Sequence, residues 1–462
     1  MLHWRPILSK GNAPVYERLI EALEHDIREG QLQPGDRLPP HRDLAHHLSL
    51  SVGTVSRAYS EAERRGLISS HVGRGSFVAR RATAGRPQID HAIADMAQNA
   101  PPLGPSQYWL SEGLARLRQR TDLLDCVDYA PAEGLDVVRR AGASWLRRHH
   151  GLTHVTPDQV IQCNGGQHGL ALAFSALARP GDTILCEAVT YAGIKTLANH
   201  AGYRLHGVAM DERGIVPEAI ARAARDTGAK VLVVIPTLQN PTTITLDAAR
   251  RAEIVAVARQ HDLMIVEDEA YRVFAGMDAP PSLAEMAPER TVMVAGVSKC
   301  IAPGLRLGFL VPPQDVALRE RLFIALRALG YSPPTMNAML FAQWEQDGTA
   351  DRIVADVIAE SDARTDLALT ILGAAIARPG APRSLHPWLP MAGINAERLT
   401  ARALRAGIAL TPPEAPIVTP DAPSGIRLCL GGAPDQESLA QNLRQLHGLL
   451  HASSTDSALG MV

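Results

Sequence analysis

The residues best equipped for chemistry lie in one run, Val297-Ser298-Lys299-Cys300-Ile301-Ala302-Pro303-Gly304-Leu305-Arg306-Leu307-Gly308. A lysine that forms a Schiff base must be held where it gives up its proton, next to an anion and the cation that clamps it. Ser298-Lys299, with Arg306 seven positions on, fits that description. Pro303-Gly304 is also ordinary turn chemistry, so the run by itself is compatible with a surface lysine in a turn.

Further candidates follow strand-like segments. Gly165-Gly166-Gln167-His168 comes after Val160–Cys163 and opens an Ala/Leu-rich helix. Glycines let backbone N–H groups approach an anion, and a helix N-terminus favours phosphate; a plain tight turn looks the same. His168 is a possible ligand contact, although a histidine so placed is more often structural. Asn240, in Gln239-Asn240-Pro241-Thr242-Thr243, can donate to a phenolate oxygen or merely make an Asn-Pro turn. Val266-Glu267-Asp268-Glu269-Ala270-Tyr271 ends another strand; a buried Asp268 could hold the charge of a protonated ring nitrogen, and Tyr271 could reach the oxygen that Asn240 faces. Acidic strand ends are common, so Asp268 alone decides little. Arg427, in Gly425-Ile426-Arg427-Leu428, reads on its own as an exposed strand arginine.

The elements that must position these residues alternate. Strands are expected at 160–163, 183–186, 230–235, 263–266, 292–295 and 307–311, most separated by helical stretches. That pattern predicts an α/β domain with a large, mostly parallel sheet, whose ligands gather at the carboxyl ends of the strands. From about 330 helix dominates, with one long amphipathic candidate over 351–371 and a last stripe of Leu439, Leu443, Leu446 and Leu450. This part is expected to form a smaller α+β domain to about 452, with a loose tail after it.

Residues 1–79 read differently. A helical stripe over 15–28, a turn at Pro34–Pro40, a short helix over 42–48 and a second over 52–65 precede a strand starting at Gly66-Leu67-Ile68 and a hairpin over 71–78 with a Gly-rich tip. Ser51 is placed to cap the 52–65 helix. That order predicts a winged helix-turn-helix, whose second helix enters the major groove of double-stranded DNA. Arg42, Ser51, Thr54 and Arg57 are the expected contacts, with Arg74 at the wing tip. Residues 37–80 hold seven arginines against Asp43, Glu61 and Glu63, which suits a DNA-facing surface and also a plain solvated face.

The whole chain of 462 residues carries a net charge of -2, so bulk charge points to no nucleic acid. Five scattered cysteines lack metal-ligand pairing and read as reduced thiols; no metal is expected. With no apolar signal core at Met1–Pro6 and no run of membrane-spanning length, a cytoplasmic protein without membrane contact is expected, nucleoid-associated when on DNA.

Two resemblances sharpen this. Gly35-Asp36-Arg37-Leu38-Pro39-Pro40, Arg42-x-Leu44-Ala45, Thr54-Val55-x-Arg57-Ala58-Tyr59, Gly66-Leu67-Ile68 and Gly73-x-Gly75-x-Phe77-Val78 resemble the GntR-type DNA-binding domain. Gly53 departs from the arginine common there. Asn240, Asp268-x-x-Tyr271, Ser298-Lys299 and Arg306, in that order, resemble fold-type I aminotransferases over roughly 125–432. This second resemblance implies pyridoxal 5'-phosphate (PLP) as cofactor, held as an aldimine on Lys299. Asp268 would pair with the pyridine nitrogen, Asn240 and Tyr271 would hold the ring oxygen, and Tyr191 would stack on the ring. Gly165, Gly166, Gln167, Ser298 and Arg306 would surround the phosphate, Tyr129 would reach the partner subunit's phosphate, and Arg427 would grip an effector carboxylate. Gly296, where the family usually carries a phosphate-binding Ser or Thr, and Thr243, where it has Gly, depart from the pattern.

The two modules together resemble the MocR subfamily of bacterial regulators. The resemblance implies a domain-swapped homodimer that binds operator DNA and senses PLP or an amino compound, rather than a working transaminase. A true aminotransferase with an attached DNA reader is the alternative. The expected organisation is a winged helix over 1–79, a linker and the start of the second domain over 80–105, and an aminotransferase-like domain over 106–462.

Overall fold

The computed structural model describes residues 4–8, 13–28, 31–33, 35–71, 75–78, 93–276, 278–377 and 384–451. They belong to two compact units, Met1–His91 and Ala92–Val462. The second unit therefore begins inside the 80–105 stretch and contains the Pro101–Pro105 run. Arg74 and the tail after 452 lie outside the described residues.

The first unit is built from α1 (Val15–Arg28), α2 (His41–His47), α3 (Val52–Arg64) and the antiparallel pair β1 (Ile68–His71) and β2 (Gly75–Val78). Leu19, Ile20 and Leu23 of α1 pack against Val55, Ala58, Tyr59 and Ala62 of α3, one turn-spaced stripe on each helix. Ser51 caps α3, its hydroxyl accepting from the Thr54 amide at 3.1 Å. The helix–turn–helix and its wing are thus as the sequence implies.

The second unit is organised by a seven-stranded mixed sheet in the order β4-β12-β11-β10-β9-β5-β6. These are β4 (Ile161–Cys163), β5 (Thr183–Glu187), β6 (Arg204–Val208), β9 (Val231–Val234), β10 (Met264–Asp268), β11 (Thr291–Gly296) and β12 (Gly308–Val311); β7 (Met210–Asp211) and β8 (Gly214–Ile215) form a small hairpin beside it. Only β12 runs against its neighbours β11 and β4. Strands β9, β11 and β12 are buried along their whole length, as in a sheet covered by helices on both faces. β6 is not among the expected strands: Arg204-Leu205-His206-Gly207-Val208 has too few strand-forming residues to stand out, and pairing with β5 defines it.

The helices that matter for the site are α4 (Gly104–Leu117), α5 (Asp136–His150), α6 (Gly165–Leu177) and α7 (Ala192–Ala201). A separate apolar cluster, including Leu399, Ile408, Ile426, Leu439 and Leu443, forms the core of the smaller C-terminal part. Its strands are β13 (Trp388–Pro390), paired with β15 (Gly425–Arg427), and β14 (Ile408–Ala409). β3 (Ala94–Asp95), far away in sequence, joins this part as a parallel partner of β14. The long helix Thr349–Leu372 connects it to the sheet region. Among the described residues no helix is long and apolar enough to cross a membrane.

Candidate functional site

The parallel strands deliver their carboxyl ends to one side of the sheet, and the chemistry-bearing residues sit there. β4 leads through Asn164 into α6, β5 leads to Tyr191, and β9 to the loop carrying Asn240. Asp268 is the last residue of β10, and Lys299 follows β11. Because β12 is antiparallel, its start lies at the same edge, so Arg306 arrives from the beginning of a strand rather than its end.

A cavity of about 360 Å³ opens among these ends, lined by Gly166, Gln167, Tyr191, Asn240, Asp268, Tyr271, Ser298, Lys299, Arg306 and Arg427. Ten of the residues singled out in the sequence thus meet in one place. Gly165 stands just behind it, with φ +78°, and a Cβ there would press on the Arg306 guanidinium. Arg306 itself has φ +47° and donates to Asn164 O at 3.4 Å, so its exposed guanidinium lies beside the N-terminus of α6. Gln167 Nε2 donates to Gly193 O at 2.9 Å, and the Tyr191 ring folds over Gly193, where any side chain would collide with it.

At the other end Asn240 Nδ2 donates to the Tyr271 hydroxyl at 3.1 Å, while Arg427 Nη1 donates to Asn240 Oδ1 at 2.8 Å. Burial lifts the Asp268 carboxyl to about 6, and the Ala270 amide at 3.1 Å partly offsets this. Burial also lowers the Lys299 amine to about 8, within reach of neutral pH. The Tyr271 phenol is pushed up by the same desolvation.

Two further residues lie outside this cavity. Tyr129 is 76% exposed and stacks edge-on against Tyr331 at 5.0 Å, outside the cavity of its own chain. His168 does not line the cavity; its Nδ1 accepts from the Asn164 amide at 3.0 Å, a structural role. At Gly296 a Cβ would have ordinary room, 3.5 Å from the Gly166 nitrogen.

Sequence reasoning missed several residues. Asn99 is buried; its Nδ2 donates to the Tyr271 hydroxyl at 3.0 Å and lies 3.0 Å from His386 Nδ1. The His386 ring stands edge-on to Tyr271 at 5.3 Å, and burial holds its imidazole down at about 3. Lys299 Nζ donates to Asn99 O, and Arg427 Nη2 to Ala97 O at 2.7 Å and Thr411 Oγ1 at 3.0 Å. Nothing local marks Asn99 or His386, which are drawn in from 172 and 115 residues away from Tyr271 by tertiary packing. Cys429 was accessible to pattern reasoning: it stands two residues after Arg427, on the same face of an extended chain, and its Sγ donates to Ala97 O at 3.3 Å.

Behind the site, Arg251 is fully buried with Glu269 at 3.3 Å and Glu267 at 3.9 Å. It also donates to Pro236 O and Thr237 Oγ1, tying the Asn240 loop to the end of β10. Burial and the neighbouring Glu269 charge raise the Glu267 carboxyl. No group of three or more His, Cys, Asp or Glu among the described residues could hold a metal ion.

In the first unit Arg42 is exposed on α2, and Ser51 and Thr54 share a hydroxyl hydrogen bond of 2.8 Å at the start of α3. Arg57 is exposed, but its guanidinium lies over the Tyr16 ring of α1 at 4.1 Å instead of reaching straight outward. Gly53 leaves open space, with only Ser51 Oγ near a Cβ, at 3.7 Å.

Comparison with known proteins agrees with both units. Residues 15–78 match the family described as bacterial regulatory proteins, gntR family, and residues 92–446 match aminotransferase class I and II. The uncharacterised helix-turn-helix transcriptional regulator YdeF of Bacillus subtilis (strain 168) is 28% identical over 97% of each chain. The pyridoxine biosynthesis transcriptional regulator PdxR of Corynebacterium glutamicum is 29% identical over 68% of each. Among solved structures, the alpha-aminoadipate aminotransferase LysN of Thermus thermophilus, complexed with N-(5'-phosphopyridoxyl)-L-leucine, superposes with a TM-score of 0.70. It is 25% identical, with 82% of this chain and 97% of that one covered. A gntR-type winged helix leading into this fold is the MocR arrangement, and the chain belongs to the aminotransferase class I and II family.

Proposed function

We propose that the protein is a DNA-binding transcriptional regulator that holds PLP at Lys299 and responds to PLP itself or to an amino compound. The observation that carries this reading is the convergence of Lys299, Asp268, Tyr271, Asn240, Arg306 and Arg427 on one cavity, in a chain whose first unit is a winged helix.

The residues fit the cofactor. The amino end of α6, with Gly166 and the nearby Arg306, suits a phosphate dianion. Asp268, ionised above about pH 6, holds a proton on the ring nitrogen. The Tyr271 oxygen accepts from both Asn99 and Asn240, which leaves its own O–H to donate to a ring oxygen. Tyr191 covers a ring face, and Arg427 takes a carboxylate, its Nε being buried without a hydrogen-bond partner among the described residues. Bound PLP supplies an aldehyde that condenses with amines and a ring that draws electrons from them.

On the DNA side, α3 enters the major groove, with Arg42, Ser51, Thr54 and Arg57 as contacts; Arg74, between β1 and β2 in sequence, is the further candidate. The protein acts as a homodimer in which Tyr129 of each subunit reaches its partner's cofactor phosphate, as its exposed position allows. For regulation the ligand must prefer one conformation; a hundredfold preference corresponds to about 2.7 kcal/mol.

The depressed Lys299 amine is also what a transaminase needs for moving a proton, so a true aminotransferase is the second reading. Adding PLP to the purified protein should produce the visible absorbance of a lysine-bound cofactor, lost in Lys299→Ala. Absence of that band defeats both readings; sustained turnover with a keto acid acceptor selects the second.

A further inference from the structure

Two side-chain amides approach the Tyr271 hydroxyl, and a different group behind each decides which way round that amide stands. Behind Asn240 it is Arg427, whose Nη1 donates to Oδ1 at 2.8 Å and so turns Nδ2 to the phenol at 3.1 Å. Behind Asn99 it is His386. The His386 Nε2 lies 3.5 Å from the Gln239 carbonyl, which can only accept, so Nε2 carries the ring proton. Burial keeps this imidazole neutral, down at about 3, and Nδ1 is therefore a bare lone pair. At 3.0 Å from the Asn99 amide, that lone pair requires its N–H end. The other hydrogen of the same Nδ2 goes to the phenol, also at 3.0 Å.

Asn99 and Tyr271 alone would settle differently. Asn99 Oδ1 is buried without a hydrogen-bond partner among the described residues, and an empty buried acceptor is costly. Turning the amide over would let Oδ1 take the phenol hydrogen and remove that cost. His386 forbids the turn: it would set the Asn99 oxygen against the Nδ1 lone pair or, in the other tautomer, the Nε2 lone pair against the Gln239 carbonyl. The His386 backbone is itself fixed, since Ser384 Oγ donates to His386 O at 2.7 Å and accepts from His386 N–H at 3.2 Å. The phenol thus has both lone pairs filled and one hydrogen left to give.

We propose that Asn99 and His386 are positioning residues for the cofactor: together they keep the Tyr271 O–H on the ring oxygen of PLP, and through it they lower the proton affinity of the nitrogen that joins PLP to Lys299. This rests on the reading of Lys299 as the PLP-binding lysine. The ring oxygen and that nitrogen are neighbours on the cofactor and share one proton. A hydrogen bond given to the oxygen stabilises its anion most when the shared proton has left, so the proton leaves more readily. The other titratable groups acting on the Lys299 nitrogen are Asp268, Arg306, Arg427 and Cys429, with Tyr191 acting on Tyr271. Arg427 and Lys299 are the charges that face His386. All of these stay in place in the variants that test the pair.

The test is a pH titration of the visible absorbance of the full-length, PLP-loaded protein. Asn99→Ala should raise the midpoint by about one pH unit, the shift expected when a hydrogen bond of ordinary strength leaves the ring oxygen. His386→Leu, which frees the Asn99 amide to turn, should raise it by about half a unit or more. His386→Asn, whose side-chain carbonyl can stand where Nδ1 stands, should keep the midpoint of the unchanged protein. Tyr271→Phe should raise the midpoint by itself, and beside it neither Asn99→Ala nor His386→Leu should move it further, because both act through the phenol. An unchanged midpoint in PLP-loaded Asn99→Ala and His386→Leu, or a shift that persists in full beside Tyr271→Phe, overturns the inference and leaves the PLP reading standing. Where one of the two variants takes up no PLP, the midpoint of the other decides. Loss of PLP from both, with the unchanged protein loaded, makes their role structural and also overturns the inference. Failure of the unchanged protein to take up PLP overturns both readings.

Discussion

Arg427 donates to Asn240 Oδ1 at 2.8 Å, and so decides which end of that amide faces Tyr271. The Arg427 guanidinium, proposed to grip a carboxylate, and the hydrogen bond to the phenol are therefore one connected chain of contacts. A lysine at 427 keeps the charge but cannot hold Asn240 and a carboxylate at once. Arg427→Lys should weaken the reduced PLP–L-alanine conjugate by about 2 kcal/mol, the loss expected for a charged hydrogen bond, while PLP alone binds with much less change. Equilibrium titration of both probes checks this.

The Lys299 amine is held near 8 by burial, so its reactive neutral form grows with pH up to that value and then levels off. The rate of PLP attachment, followed by stopped-flow absorbance, should rise about tenfold per pH unit below 8 and flatten above it. A rate that still climbs towards the ordinary lysine range contradicts the placement of this amine. The sign for stability follows: the unfolded chain binds this proton more tightly than the folded one. The Lys299 contribution therefore becomes more favourable as pH rises from about 8 to the unfolded value.

Gly296 leaves room beside the Gly166 amide, at the point where an anion would sit against α6. Gly296→Ser should add a hydroxyl there and tighten PLP by about 1.5 kcal/mol, roughly tenfold. Dialysis against decreasing PLP measures it; equal or weaker retention argues that Ser298 and Arg306 already complete the phosphate site.

Arg251 has no exposure and faces Glu267 and Glu269, also without exposure. Arg251→Met should destabilise the second unit by about 3–5 kcal/mol, because two buried carboxylates lose their cation. A lower urea midpoint at unchanged slope is the expected signature.

Arg57 lies over Tyr16 and must leave that ring, or lean on it, to meet DNA. Arg57→Ala should weaken binding to a selected operator by about 1–3 kcal/mol. Unchanged affinity in a mobility-shift titration would mean that this arginine only packs α3 on α1.

Much of this was legible in the sequence, for identifiable reasons. Strands buried on both faces leave continuous apolar runs such as Val231–Val234, and chemistry collects at their ends, so Asp268, Lys299 and Asn240 could be found by position. The caps and stripes of the winged helix are local signals, and Ser51 with Val55, Ala58 and Tyr59 suffices for α3. What stayed hidden was long-range. Asn99 and His386 acquire meaning only by meeting Tyr271, and β6 only by pairing with β5. The direction of Arg57 depends on where Tyr16 of another helix happens to stand, which no spacing within α3 encodes.

The pairing of Ala94–Asp95 with Ile408–Ala409 fixes where the molecule can be divided. A chimaera joined upstream of Ala94 would inherit a whole pocket under a new DNA reader. One joined at Pro105 would lose a strand of the smaller sheet together with Ala97 and Asn99. The natural seam for exchanging readers therefore lies before Ala94, and a transplant made there should keep its response to the same small molecule.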